Sequence, residues 1–406
     1  MDNPNTFVVD DFTALTLGIL VYFIGANLTQ RFRILREWSI PEPVSGGLLA
    51  ALIALAVVAF TGKEIQYQLD ARDVLLVYFF TTVGLNASFA DLKRGGPALG
   101  LMLALTVGFM VIQAGVGMLS AKLAGLPAEA GVMLGTASLI GGHGTAIAWG
   151  PTVAQEFGVN GAAELGIAMA TIGLILASLL GGPVAKILIE RKDLAPDEDL
   201  PTAATVLHEP DSGASSQGVT HVRFMQAIFW IHVAIIIGYS FHESLLAAGV
   251  KLPLFVPCLL AGIALSNTLP KVFKRIEWPA GGIEMRVVGE FSLSVFLSMS
   301  LMSMELWTLK SSIGALAIAS ALQATVALLF VMFVVFPLMG RNYFAGVLSA
   351  GFTGFTLGAT PTAIANMTAV TQRYGPSPLA FIVLPLISAF FVDLANAFII
   401  QWFLSL

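Results

Sequence analysis

Long apolar runs separated by short polar joints fill this chain. Ten can be drawn, roughly at 12–30, 43–61, 74–90, 97–120, 160–188, 224–247, 253–269, 287–306, 312–338 and 378–404. Each approaches the ~20 residues that a helix needs to cross a bilayer core. Lipid offers no water to exposed backbone groups, so each run predicts a helix rather than an open strand. No short apolar/polar alternation of the membrane-barrel type occurs. The pattern therefore predicts an all-α polytopic membrane protein. Two further segments, 128–158 and 343–374, are rich in Gly, Thr and Pro and too interrupted for ordinary spans. Each is predicted to be a re-entrant hairpin, entering and leaving on one side.

Composition agrees with the pattern. Apolar residues make up 57% of the 406 and charged residues only 11%, against roughly 25% charged in soluble domains. A net charge of −5, with no basic stripe, points away from a nucleic-acid partner. Cys258 is the single cysteine, which excludes disulfides and cysteine-ligated metal within one chain. The start, MDNPNTFVVDD, lacks the basic segment of a signal peptide, so the first run is expected to be retained.

The polar joints set orientation. One side receives fifteen Lys and Arg residues and the other five (Lys63, Arg72, Lys122, Lys251 and Lys310). The richer side is expected to be cytoplasmic, which places both termini in the periplasm and the protein in the inner membrane. Residues 190–222 are acidic and turn-rich and read as a flexible cytoplasmic loop, either a plain connector or a regulatory segment. They separate a first repeat, 1–189, from a second, 223–406.

That these are repeats follows from an internal match. Residues 141–158 read GGHGTAIAWGPTVAQEFG and residues 358–375 read GATPTAIANMTAVTQRYG. At a constant offset of 217, eight of eighteen positions are identical, where composition alone would give about one. Five spans and one hairpin per half make the second copy inverted in the membrane. Inverted repeats with broken helices meeting near the midplane are the architecture of secondary transporters.

The hairpin tips carry the candidate chemistry. The first includes Ser138, His143 and Thr145 around Gly141, Gly142 and Gly144; the second has Thr360, Pro361 and Thr362, with Asn366 one turn on. Glycines allow a sharp turn, and a short helix beginning at each tip would present unpaired N–H groups and a positive dipole end. Two such ends facing each other make an anion site. No Lys or Arg lies deep in any run, so a carboxylate substrate would be met by N–H groups, hydroxyls and His143. Kinked helix packing is the competing explanation of these tips.

Asp393, in SAFFVDLANAFII, is an intramembrane carboxylate, a functional group by default. Asn396 follows one turn later, and together they form part of a plausible sodium site; a proton carrier or a structural hydrogen bond are the alternatives. Asn86 and Glu164 are weaker wall candidates, while Glu290, Glu305, His232 and His242 read as solvated, satisfied or interfacial groups. No hydrolase, nucleotide or zinc motif occurs. Neither an enzyme nor a cofactor is indicated, and a carrier is favoured over an anion channel.

The chain resembles the glutamate:sodium symporters over nearly its full length. The resemblance is carried by Pro41-Glu42-Pro43-Val44 with Gly46-Gly47, by Thr82–Ala87, by Gly141–Thr145, by Leu357–Met367, and by Phe390–Asp393 with Asn396-Ala397. It implies glutamate as substrate, sodium as coupling ion, a homodimer in the bilayer, and an elevator-like movement of the hairpin-bearing part. It also implies Ser138, His143, Thr145, Thr360, Thr362 and Asn366 at the substrate, with Asp393 and Asn396 at sodium. A sodium- or proton-coupled carrier of another carboxylate, such as citrate, is the alternative.

Overall fold

The computed structural model describes residues 6–37, 40–87, 96–196, 220–247, 252–272, 278 and 282–406. Most of the expected 190–222 loop lies outside them. Within them the chain is helical. In the first half run α1 (Asp11–Arg31), the short α2 (Arg33–Glu37), α3 (Glu42–Thr61), α4 (Asp70–Asn86) and α5 (Gly96–Leu123). A 3-10 turn at Ala128–Val132 leads to α6 (Gly142–Phe157) and α7 (Ala162–Lys192). The second half contains α8 (His221–Ala247), α9 (Phe255–Val272), α10 (Ile283–Met302) and α11 (Ile313–Phe330, continued by a π-turn to Leu338). It closes with α12 (Tyr343–Leu357), α13 (Thr360–Tyr374), α14 (Pro378–Phe390) and α15 (Val392–Leu404).

Eight of these helices are long and apolar enough to cross a membrane, or nine if the bent pair α14/α15 counts as one span. This is a multi-pass membrane protein. The third expected span, 74–90, is the 17-residue α4, whose first turns carry Asp70, Arg72 and Asp73 and shorten its apolar stretch. The last expected span, 378–404, is broken: its two arms meet at 46° near Phe391. Asp393 therefore sits in the first turn of α15 rather than in mid-helix.

One feature departs from the all-helical expectation. Thr6–Val9 (β1) pairs in parallel with Glu64–Tyr67 (β2), tying the start of the chain to the α3–α4 connection. The neighbouring caps reinforce it. Asp10 accepts from the Thr13 backbone and hydroxyl at 3.1 and 2.7 Å, bonds that lower its carboxyl pKa. Asp11 accepts from the Ala71 N–H at 2.9 Å.

The helices sort into two packed groups. In one, α4 lies between α9 and α10, with α1, α3 and α8 around them; in the other, α7 holds α6, α12 and α13, and α5 packs on α11, α15 and the turn before α6. Few contacts cross between the groups. Large side chains such as Phe12, Phe60 and Phe333 stay exposed, the normal state of a surface solvated by lipid. Helices approach closely at glycines, most tightly where α1 crosses the start of α3: a Cβ on Gly25 would stand 1.9 Å from the Glu42 carbonyl. They also do so where α7 meets the end of α12, a Cβ on Gly173 standing 2.2 Å from the Leu357 carbonyl. Helix starts in the second half follow those of the first at a nearly fixed spacing. Ile313 lies 217 residues after Gly96, and Thr360 lies 218 after Gly142.

Candidate functional site

The two interrupted segments bring their tips together. After the turn at Ala128–Val132, residues 133–141 form irregular turns, and Gly142, at a φ of +69°, opens α6. A side chain there would be strained, which is why the tip needs glycine. In the second segment α12 ends at Leu357, Gly358 and Ala359 make the turn, and α13 starts at Thr360 with Pro361 in its first turn. Proline suits that place because its missing N–H has no helical partner to lose.

Irregular backbone leaves carbonyls to satisfy, and side chains supply the donors. The Ser138 hydroxyl donates to Met133 O at 2.5 Å. Gln323 Nε2, from α11, donates to Leu134 O at 3.1 Å and to Gln113 O at 2.9 Å. Asn396 Nδ2 donates to Thr136 O at 3.1 Å, while its Oδ1 accepts from the Thr136 hydroxyl at 2.8 Å. Gln113 Nε2, from α5, donates across to Thr356 O at 2.8 Å. All five side chains are fully buried, where unpaired polar groups are expensive.

Where the tips meet lies a cavity of about 260 Å³. Its polar wall is Gly141–Thr145 from the first tip, Gly358–Pro361 from the second, and Ser388 and Asp393 from the broken last span. Its apolar wall includes Phe79 and Phe80 of α4, Leu293 and Leu297 of α10, and Phe355. The cavity thus lies on the junction between the two helix groups. Asp393 is the one Asp, Glu, Lys or Arg lining it, and among the described residues its carboxylate has no hydrogen-bond or ion-pair partner. The first turns of α6, α13 and α15 all contribute residues to this wall, and the first turn of a helix carries unpaired N–H groups and the positive dipole end. His143 is buried, with Nε2 3.0 Å from the Thr171 hydroxyl. That hydroxyl donates to Ile167 O, so it accepts from His143 Nε2–H, which leaves Nδ1 as the acceptor in a neutral ring.

Of the eight expected site residues, His143, Thr145, Thr360 and Asp393 line the cavity, and the other four do not. Ser138 and Asn396 support the irregular first tip; Asn396 also packs behind Gly141. Asn366 donates to Ala177 O at 3.0 Å and to Ala350 O at 3.4 Å, locking α13 onto α7 and α12. Thr362 is fully buried and its hydroxyl is unpaired. Four contributors escaped the sequence reading: Thr136, Thr171, Gln113 and Gln323. The two glutamines had a visible signal, as amides inside long apolar runs. Thr136 and Thr171 resembled ordinary packing residues.

A larger cavity, about 560 Å³, lies further along α4 and α6, lined by Arg72, Asp73, Thr152, Gln155 and Phe255. Its arginine is already paired to Asp73 at 2.6 Å, and neither hairpin tip reaches it. It is the lesser candidate despite its size. Phe80 of the smaller cavity and Phe255 of the larger one stack between them, their rings 4.4 Å apart. His232 hydrogen-bonds Tyr78, as a satisfied histidine should, but the Nδ1 of His242 is buried without a partner. Glu290 is exposed and 3.9 Å from Arg286. Among the described residues no His/Cys/Asp/Glu group could hold a metal ion by itself.

Residues 7–376 match the family model described as sodium/glutamate symporter. Similar proteins include the sodium/glutamate symporter of Escherichia coli (strain K12), 38% identical over 98% of both chains. That of Haemophilus influenzae is 35% identical over 98% of this chain and 97% of its own.

Proposed function

The chain belongs to the sodium/glutamate symporter family, and on that premise we propose that it carries glutamate with sodium across the inner membrane by alternating access. The observation that carries this reading is the junction cavity with two helix N-termini, one unpaired carboxylate and no basic side chain. Glutamate brings two carboxylates and one ammonium. The carboxylates take N–H groups and hydroxyls at Gly142–Thr145 and Thr360; helix ends serve as the anion site without the desolvation cost of a buried arginine. The aliphatic stem lies against Phe79, Phe80 and Leu297. Asp393 holds sodium or the ammonium, and its charge is the reason a cation must accompany an anionic substrate. Ser138, Thr136, Asn366 and Asn396 keep the tips in place, and Thr362 brings a buried, unpaired hydroxyl to the first turn of α13.

The two halves are inverted copies, a reading supported by their matched helix starts and by four long apolar helices in each, to which the 17-residue α4 and the bent α14/α15 pair would add a fifth. The segments at 128–158 and 343–374 are re-entrant hairpins. Their helices, α6 with 16 residues and α12 and α13 with 15 each, span only about 22–24 Å at 1.5 Å per residue, short of the ~30 Å hydrocarbon core. The hairpin-bearing group moves against the group built on α4, α9 and α10, as the sparse contacts between them favour. Both termini face the periplasm, following the basic-residue asymmetry. The functional unit is a homodimer.

Uptake of labelled glutamate into proteoliposomes, with and without an inward sodium gradient and against unlabelled competitors, tests this reading. Sodium-driven uptake blocked by glutamate analogues is the expected result. Uptake driven by protons, or inhibited only by citrate and related carboxylates, would overturn the assignment.

A further inference from the structure

Gln113 in α5 and Gln323 in α11 are both 0% exposed. Their amides cannot be turned around. The nitrogen of Gln113 faces Thr356 O, and that of Gln323 faces Gln113 O and Leu134 O. These acceptors are all carbonyls, so a flipped amide would set oxygen against oxygen. Both Oε1 atoms therefore point elsewhere, and both are buried without a partner. A buried acceptor without a donor is rare and calls for an explanation such as an ion. Here two occur in one connected network, since Gln323 bonds the backbone of Gln113 itself.

The network's place is as telling as its chemistry. Leu134 belongs to the arm that leads to the first tip, and Thr356 to the last turn before the second. The two amides thus tie both arms to α5 and α11, behind the cavity rather than inside it. Both unpaired atoms are neutral amide oxygens. Such a set suits a hard cation of low charge, whereas a divalent ion would call for carboxylates.

We propose that Gln113 Oε1 and Gln323 Oε1 are ligands of a sodium ion held between the two hairpin arms. This rests on the sodium-symport reading above and adds a second cation position to the one facing Asp393. An ion there draws the two amides into fixed positions and, through their N–H groups, fixes Leu134 and Thr356. The tips that follow, at Gly141 and Thr360, then meet glutamate already set, which is the route by which sodium raises affinity for a substrate it does not touch.

The test uses the full-length protein in two measurements. One is the sodium concentration that half-saturates glutamate uptake in proteoliposomes. The other is the rise in unfolding temperature caused by NaCl over choline chloride, without glutamate. Gln113→Met and Gln323→Met keep the side-chain volume and remove the oxygen together with the N–H donors to Thr356, Gln113 and Leu134. Each is expected to raise half-saturating sodium at least tenfold and to abolish the sodium-specific thermal shift. Gln323→Glu keeps an oxygen there; protonated, its O–H still donates to one of the two carbonyls, so it is expected to retain the shift, and ionised it is expected to lower half-saturating sodium as pH rises. Met variants that fold and keep the wild-type half-saturation and shift would overturn the proposal. Should they not fold, unchanged sodium dependence in Gln323→Glu at every pH would overturn it equally. A wild type indifferent to sodium would instead remove the symport reading itself.

Discussion

The Thr136–Asn396 pair joins residues 260 positions apart, through a hydroxyl–amide bond of 2.8 Å and an amide–carbonyl bond of 3.1 Å. Thr136→Val preserves shape but strips the hydroxyl, leaving Asn396 Oδ1 unpartnered at a cost of about 1–3 kcal/mol. Asn396→Ala removes both bonds and opens a void beside Gly141. Thr136 O still accepts from Gly141 N–H at 2.9 Å, so that carbonyl is not fully orphaned. Polar pairs between membrane helices average ~0.6 kcal/mol and reach ~1.7 in double-mutant cycles, so two bonds place the coupling at about 1–2 kcal/mol. Reversible unfolding in mixed SDS micelles of wild type, both single variants and the double variant measures it directly. Glutamate uptake is expected to fall in both single variants together, because each loosens the same tip. Single effects that add within ~0.3–0.5 kcal/mol would show that the pair holds nothing, and refute the account of how the first tip is kept in place.

Asp393→Asn is expected to abolish sodium-driven glutamate uptake while the protein still purifies as a folded species, checked by uptake and size-exclusion profile. Thr145→Val and Thr360→Val are each expected to raise the KM for glutamate by roughly tenfold to a hundredfold, the worth of one hydrogen bond to a charged group. Gly173→Ala sets a methyl against the Leu357 carbonyl and is expected to cost about 1–3 kcal/mol of stability along with lost uptake, measured on the same preparation. Glu305, just beyond α10, has its carboxyl pKa raised, first by burial and then by repulsion from Glu164 and Glu64. It binds a proton more readily in the folded chain than in the unfolded one, so stability is gained as pH falls through the raised value toward the ordinary 4.5. Glu305→Gln should therefore raise the unfolding temperature at neutral pH and flatten that part of the pH profile.

Helices were legible in the sequence because lipid leaves the chain few other ways to satisfy its backbone, and α5, α8 and α11 lie within a few residues of their apolar runs. The repeated TAIA segments located both tips, since glycine, proline and hydroxyls inside an apolar chain have few other uses. The break near Phe391 was hidden: the nearest helix breaker, Pro385, lies well before it and inside α14. Nor does residue type reveal which polar group is free. Ser138, Asn366 and Asn396, expected as ligands, each donate to a backbone carbonyl, in two cases across segments far apart in sequence. Gln113 and Gln323 carried the same intramembrane signal as Asp393 but lay away from the recognisable motifs.

On the proposed mechanism, glutamate and sodium together occupy the cavity between the two tips. Cys258 is the single cysteine and is buried, so Cys258→Ala gives a clean background for Ala359→Cys, which places a thiol on the cavity wall. The rate at which a hydrophilic maleimide modifies that thiol is the decisive measurement. The account predicts marked slowing when glutamate and sodium are present together, and much less with glutamate in choline. A rate that glutamate leaves unchanged in saturating sodium, in a variant that still transports, would contradict it.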